Sequence, residues 1–314
     1  MIDLQRMINP LGPSLKAVET IKNNLADIHK YIGPLKVLIE KIAQLNGVKE
    51  DQVLLSDGAD GALTLIAQSV FKGKHIVIPQ PCFHRYKDYP LYLGIDYTLI
   101  NPKNSIFLDE NIILQSKGDI LLLASPNNPT GFIISDDFLE KVLRKFEVVI
   151  LDETLLLSFE GKQSYIAKYQ NLIIVRSFSK LGGLAGLRIG YIIATSEYIF
   201  KIKSVSTPFK VNYLGQIASL AILDDHEYRE KTKLFIESQR KLLYDKLQDN
   251  NIQKSKSLCY CLFLTSEQQQ KLKQKRILVQ EDMGFGYNLN NEFLFRIIIG
   301  PEENNKALIS ALKG

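Results

Sequence analysis

Short apolar runs bounded by Gly, Pro, Asn or Asp recur along the first two thirds of the chain, at residues 53–55, 75–79, 119–124, 148–151, 172–175 and 189–194. Their length and near-continuous apolar character suit strands buried on both faces. Between several of them, as at 59–71 and 136–145, apolar residues return every three or four positions, the spacing of an amphipathic helix. Strands alternating with helices predict a mostly parallel sheet covered by helices, an α/β domain. The pattern changes near residue 205. A helix-compatible stretch over 213–247 leads to a strand over 258–264, a helix, two further strands near Ile277 and over 293–299, and a closing helix. This order predicts a smaller α+β lobe and divides the chain into an N-terminal arm (1–30), a large domain (31–205) and a small C-terminal domain (206–314). Ser14 is a candidate N-cap for a helix running to about Asn24, and the arm that contains it could pack on either lobe.

Composition narrows the class. The 314 residues are 46% hydrophobic and 23% charged, the usage of a soluble folded protein able to bury a core. Lys and Arg total 39 against 34 Asp and Glu, a formal charge of +5 that disfavours a nucleic-acid groove unless the basic residues cluster. The densest group, Lys271, Lys273, Lys275 and Arg276, lies among glutamines in an apparent helix and reads as a solvated face. No stretch approaches the roughly 18 uncharged apolar residues of a membrane span, and the N-terminus lacks a signal-peptide core. Cys82, Cys259 and Cys261 have no CxxC spacing, so neither a disulfide framework nor a zinc site is expected, and a reducing cytoplasm is. The four histidines are scattered without i, i+4 pairs, and no metal is expected.

In an open parallel sheet, ligands sit beyond the carboxyl ends of the strands. After 53–55 come Ser56-Asp57-Gly58-Ala59-Asp60-Gly61 and a helix, a turn whose backbone N–H groups could hold an anion or could simply be a turn. After Ala124 comes Ser125-Pro126-Asn127-Asn128-Pro129-Thr130-Gly131, a rigid string that would fix the direction of the Asn128 amide, or serve only as a crossover loop. The run 148–151 ends in Asp152-Glu153-Thr154, where Asp152 is either a cap or a carboxylate placed in a site. The run 172–175 leads into Arg176-Ser177-Phe178-Ser179-Lys180 and a glycine-rich stretch ending at Arg188. A Walker loop would put its lysine after the glycines. Lys180 precedes them, which argues for an amine nucleophile rather than a nucleotide-phosphate ligand, or for a lysine merely exposed on a glycine-rich turn.

Taken in order, INPLGPS at 8–14, SDGADGAL at 56–63, PCFHRY at 81–86, SPNNPTG at 125–131, DET at 152–154, SFSKLGGLAGLRIGY at 177–191 and RIIIGPEEN at 296–304 resemble the fold type I pyridoxal-phosphate enzymes over nearly the whole chain. Within that superfamily the resemblance is to the branch of histidinol-phosphate aminotransferase and threonine-phosphate decarboxylase. It implies the fold type I architecture, pyridoxal 5'-phosphate as cofactor, and small-molecule amino donor and acceptor as partners. Carried over position by position, Lys180 would bond the cofactor covalently and then move the substrate proton, and Asp152 would pair with the ring nitrogen. Asn128 would donate to the ring oxygen and Phe83 would stack on the ring. The phosphate would sit on the turn at Gly58, Ala59 and Asp60 with Ser177, Ser179 and Arg188. Arg296 and Asn9 would meet the substrate. Tyr31 would reach the phosphate of a neighbouring subunit, which implies a homodimer.

The chain departs from the family pattern at three places. Leu155 stands where a tyrosine or phenylalanine is usual, Ile8 where the N-terminal motif carries glutamate, and Gln280-Glu281 where phosphate-handling members carry arginine and aspartate. RIIIGPEEN leans toward transamination, whereas Leu155 and PFKVN at 208–212 lean toward decarboxylation. Transamination is the expectation, decarboxylation the alternative, and a catalytically idle cofactor-binding protein the alternative from another class.

Overall fold

A computed structural model of the chain describes residues 1–31, 33–102, 106–248, 252–281, 288–289 and 292–313. In chain order the strands are β1 (Ile2–Asp3), β2 (Val53–Ser56), β3 (Ile76–Pro79), β4 (Tyr97–Ile100), β5 (Ile120–Ala124), β6 (Val148–Asp152), β7 (Leu172–Ser177), β8 (Gly190–Ile193), β9 (Cys259–Leu264), β10 (Ile277–Leu278), β11 (Gln280–Glu281), β12 (Asn288–Leu289) and β13 (Glu292–Ile298). One sheet runs β2-β8-β7-β6-β5-β3-β4. Its pairings are parallel from β7 through β6, β5 and β3 to β4, while β8 is antiparallel to both β7 and β2.

The apolar runs form these strands because both faces of the sheet are covered. Alternate residues enter two cores. Val149, Leu151, Leu121, Leu123, Leu172 and Ile174 meet helices Leu35–Asn46 and Asp136–Lys145 on one face. Val148, Ile150, Ile120, Leu122, Ile173 and Val175 meet helices Gly58–Val70 and Ser196–Lys203 on the other. The period of two along a strand thus sorts one continuous apolar run between two helix layers. Each such side chain contributes about 1.5–3 kcal/mol by leaving water. The edge strand β4 had no signal in the apolar pattern, because Tyr97–Ile100 is only partly covered.

A third core joins β9 and β13 to helices His226–Lys246, Ser266–Gln274 and Glu302–Lys313 through Leu243, Leu262, Leu272, Ile297 and Leu308. The N-terminal arm touches both bodies. Its β1 pairs in parallel with β10, while Ala17 of helix Leu15–Asn23 joins the first core beside Ala218 and Ile222. Ser14 caps this helix by accepting the Ala17 N–H at 3.2 Å.

The helix expected over 213–247 is two helices, Tyr213–Leu223 and His226–Lys246. Asp225 begins the second by accepting the Tyr228 N–H at 3.3 Å, and it also accepts the Ser14 hydroxyl at 2.6 Å. The first of the two packs on helices Leu15–Asn23 and Leu35–Asn46 and joins the first core through Ala218 and Ile222, although its sequence lies within the stretch expected to form the small lobe. The basic group after residue 270 is a solvated face, with Lys273, Lys275 and Arg276 exposed.

Candidate active site

The strand directions bring the candidate residues to one edge. Strands β2, β5, β6 and β7 end there, and the antiparallel β8 begins there, with Gly190 in register with both Ser56 and Ser177. The segments leaving these ends, together with Phe83, His84, Tyr86 and Lys87, the N-terminal arm and Arg296 of β13, line a cavity of about 720 Å³. Lys180, Asp152, Asn128, Phe83, Ala59, Asp60, Ser177, Ser179, Arg188 and Arg296 all line it.

At one end, Ser177 Oγ donates to Ser179 Oγ at 2.8 Å, and the Ser179 N–H donates back to Ser177 Oγ at 3.0 Å. Gly58 opens helix Gly58–Val70 with φ +82°, and a Cβ placed on it would lie 2.9 Å from Arg188 Nη2. Glycine is therefore needed here twice over, for the backbone conformation and for the approach of the guanidinium. Arg188 is itself left-handed at φ 49° and reaches Asp60 Oδ2 at 3.5 Å. The Asp60 carboxylate also accepts from Tyr89 at 3.1 Å. Its side chain thus holds Arg188 in place, and the helix N-terminus, the hydroxyls and the guanidinium are the groups available to an anion.

In the middle, the buried Asp152 carboxylate accepts the Thr154 N–H at 2.8 Å and the Tyr86 hydroxyl at 2.7 Å. Burial raises its pKa, and hydrogen bonding from Thr154 and then from Tyr86 opposes the rise. Behind it, Arg176 donates twice to Glu153 Oε2, at 2.6 and 2.8 Å, and further to Gln163, the Phe159 carbonyl and Asn46. This buried fork clamps the end of β6 to β7, one residue beyond Asp152 and one residue before Ser177.

Lys180 Nζ donates to the Met7 carbonyl at 2.7 Å. Its pKa is lowered to about 8, first by burial and then by the Arg296 and Arg188 charges. Arg296 donates to Asn128 Oδ1 and to the Gln5 carbonyl, both at 2.9 Å. With its oxygen so engaged, the Asn128 amide presents Nδ2 as the donor. Arg296 Nε is buried and has no hydrogen-bond partner among the described residues.

Two expected residues lie elsewhere. Asn9 does not line the cavity: its Nδ2 donates to the carbonyls of Lys180 and Leu181, each at 3.1 Å, and its Oδ1 accepts the Leu11 N–H. It ties the arm to the lysine loop from behind. Tyr31 is 78% exposed and packs its ring on Phe209, away from this cavity. Leu155, Ile8 and Gln280, at the three departures noted above, do line it, as do Gln5, Arg6, Met7, Tyr86 and Thr154, which the strand-end reasoning missed. Tyr86 stood inside a quoted motif without a role. The arm's carbonyls carry no sequence signal at all.

A site of this kind on this sheet belongs to a known class. Residues 4–312 match the family "Aminotransferase class I and II", and the chain belongs to it. Over its whole length the chain is 31% identical to the histidinol-phosphate aminotransferase of Caldicellulosiruptor saccharolyticus, covering 91% of that protein. The histidinol-phosphate aminotransferase structure from Clostridium acetobutylicum superposes with a TM-score of 0.90 at 23% identity, covering 100% of this chain and 98% of the other. The L-threonine-O-3-phosphate decarboxylase structure from Porphyromonas gingivalis does so at 0.84 and 23%, with the same coverage. These superpositions establish fold type I.

Enzymes of this family work through pyridoxal 5'-phosphate, and the cavity suits that group. A dianionic phosphate needs the helix turn, hydroxyls and guanidinium found at one end. A cationic ring needs a carboxylate such as Asp152 and an aromatic neighbour such as Phe83. An aldehyde needs an amine of lowered pKa. The carboxylate raised by burial and the unpartnered Arg296 Nε are both groups that a charged ligand would relieve.

Proposed function

We propose that this chain is a pyridoxal 5'-phosphate-dependent aminotransferase exchanging an amino group between an amino acid and a phosphorylated amine or keto partner, as in the histidinol-phosphate aminotransferases it resembles. The observation that carries it is the meeting of Lys180, Asp152, Asn128 and Arg188 around one cavity. When bound, the cofactor supplies an aldehyde that links to amines and a protonated ring that withdraws electrons from the neighbouring carbon.

The chain's own residues supply the rest. Lys180, with a pKa near 8, has an accessible neutral form at physiological pH and can both take and return a proton at Nζ. Asp152 would keep a proton on the ring nitrogen. Asn128 Nδ2 would donate to the ring oxygen, and Phe83 would cover a ring face. Arg188, Ser177, Ser179 and the N–H groups at Gly58 and Ala59 would hold the phosphate, with Asp60 beside Arg188. Arg296 would take an acidic group of the substrate. Asn9, assigned to the substrate from the sequence, is better placed to fix the Lys180 loop.

We further propose a homodimer with shared sites. Tyr31, Phe209, Phe200 and Leu35 are exposed and line a second cavity of about 1030 Å³, an apolar surface suited to another copy of the chain. A reducing, cytoplasmic setting is part of the proposal, and it suits the buried thiols of Cys82, Cys259 and Cys261.

A half-reaction screen tests the proposal. Cofactor-loaded protein is mixed with amino acids and phosphorylated amines, and the absorbance of the cofactor link is followed together with the products. Discharge by an amine with the nitrogen retained on the protein, and recovery on adding a keto acid, is the expected result. Release of carbon dioxide with the nitrogen leaving on the product would indicate a decarboxylase. Indifference to every amine would indicate an idle protein.

A further inference from the structure

Tyr86 stands where two of the ring contacts meet. Its hydroxyl donates to Asp152 Oδ2 at 2.7 Å, and its ring meets that of Phe83 edge-on, at 85° with centroids 5.7 Å apart. It is 1% exposed and lines the cavity that contains both partners. Thr154 serves the other oxygen, its N–H donating to Asp152 Oδ1 at 2.8 Å. The phenol is thus the side-chain donor to Oδ2 of that carboxylate.

We propose that Tyr86 is a positioning residue that fixes Asp152, and through the shared ring contact Phe83, for their contacts with the cofactor ring. The proposal rests on the assignment of Asp152 to the ring nitrogen. Its chemistry is that of a charge-assisted hydrogen bond in a dry site. Burial and the neighbouring carboxylate push the phenol well above its usual value, so Tyr86 keeps its proton and always donates. A carboxylate stripped of this donor is free to turn and is a stronger base. It then draws the ring proton toward itself, and the ring withdraws electrons less well.

Two variants separate this from packing. Tyr86→Phe keeps the edge-on contact with Phe83 and removes the hydroxyl, whereas Tyr86→Leu removes both. In cofactor-free protein, infrared difference spectroscopy can follow the Asp152 carboxyl against pH, with Asp152→Asn identifying its band. The midpoint should rise in Tyr86→Phe by about one pH unit, the effect of one hydrogen bond to a charged acceptor. In loaded enzyme the same change should lower kcat about tenfold, with cofactor affinity within about threefold of the parent. An unmoved midpoint with unchanged kcat in Tyr86→Phe, and damage only in Tyr86→Leu, would overturn the proposal and leave Tyr86 a packing residue. If Asp152→Asn itself keeps full turnover, the ring-nitrogen assignment falls and takes the proposal with it. Loss of turnover in Asp152→Asn beside a silent Tyr86→Phe overturns the proposal alone.

Discussion

Lys180 is a partly buried amine whose charge is disfavoured by its surroundings, and the pH dependence follows in sign from that. With a pKa near 8, about a tenth of the amine is neutral at pH 7, against well under a thousandth for a lysine of ordinary pKa. Only the neutral form attacks an aldehyde. The rate at which cofactor-free protein binds pyridoxal 5'-phosphate covalently should therefore rise with pH and level off above about 8, as followed by stopped-flow absorbance. A rate still climbing steeply at pH 10 would place the amine in an ordinary environment. Leu155 supports a second expectation at this scale. It lines the cavity where the family carries an aromatic residue, leaving Asn128 as the donor assigned to the ring oxygen. Leu155→Tyr adds a phenol, so the proton at the Lys180–cofactor link should leave at lower pH. One hydrogen bond to a charged group corresponds to about one to two pH units. Coincident spectrophotometric titrations of parent and variant would show that another group already fills that place.

The elements explain why these side chains meet, and also what the chain discloses in advance. Asp152 and Lys180 could be singled out because each follows an apolar run, and a parallel sheet gathers the ends of such runs at one edge. Strand β4 escaped notice because an edge strand is only partly covered. The division of 213–247 into two helices escaped because apolar periodicity runs on across Asp225, which caps the second helix by accepting the Tyr228 N–H and is held by the Ser14 hydroxyl, 211 residues earlier in the chain. The clamp between β6 and β7 was equally hidden: Arg176 reads as one more residue of an SFSK block, yet its side chain is 2% exposed and paired with a Glu153 side chain at 1%. Removing one partner leaves a buried charge. Arg176→Met should lower unfolding free energy by about 3–5 kcal/mol, measured by urea denaturation. Arg176→Met combined with Glu153→Gln should recover a substantial part of that loss. A single variant as stable as the parent would mean that Glu153 finds water or another cation.

At the scale of the whole molecule, the N-terminal arm connects the fold to the site, and the apolar surface around Tyr31 lies apart from it. The arm is held at both ends, by β10 and by the large-sheet core, and between them its carbonyls meet Lys180 and Arg296. None of this was legible in residues 1–14, since carbonyl contacts leave no trace in side-chain identity. The surface around Tyr31 predicts assembly. The loaded protein should sediment as a dimer at micromolar concentration, and Phe209→Asp should shift it toward monomer and weaken cofactor retention. Tyr31→Phe should weaken retention while leaving the dimer intact. A fully active monomer would reject the shared site.

The central claim is that Lys180 holds the cofactor and that an amine can displace it there. The most direct measurement is borohydride reduction of the loaded protein followed by peptide mapping, with and without prior exposure to an amino donor. The account predicts one modified peptide, carrying the cofactor on Lys180, its yield falling on exposure to the donor and returning after a keto acid is added. Modification at any other lysine, or a yield at Lys180 that no amine changes, would contradict it.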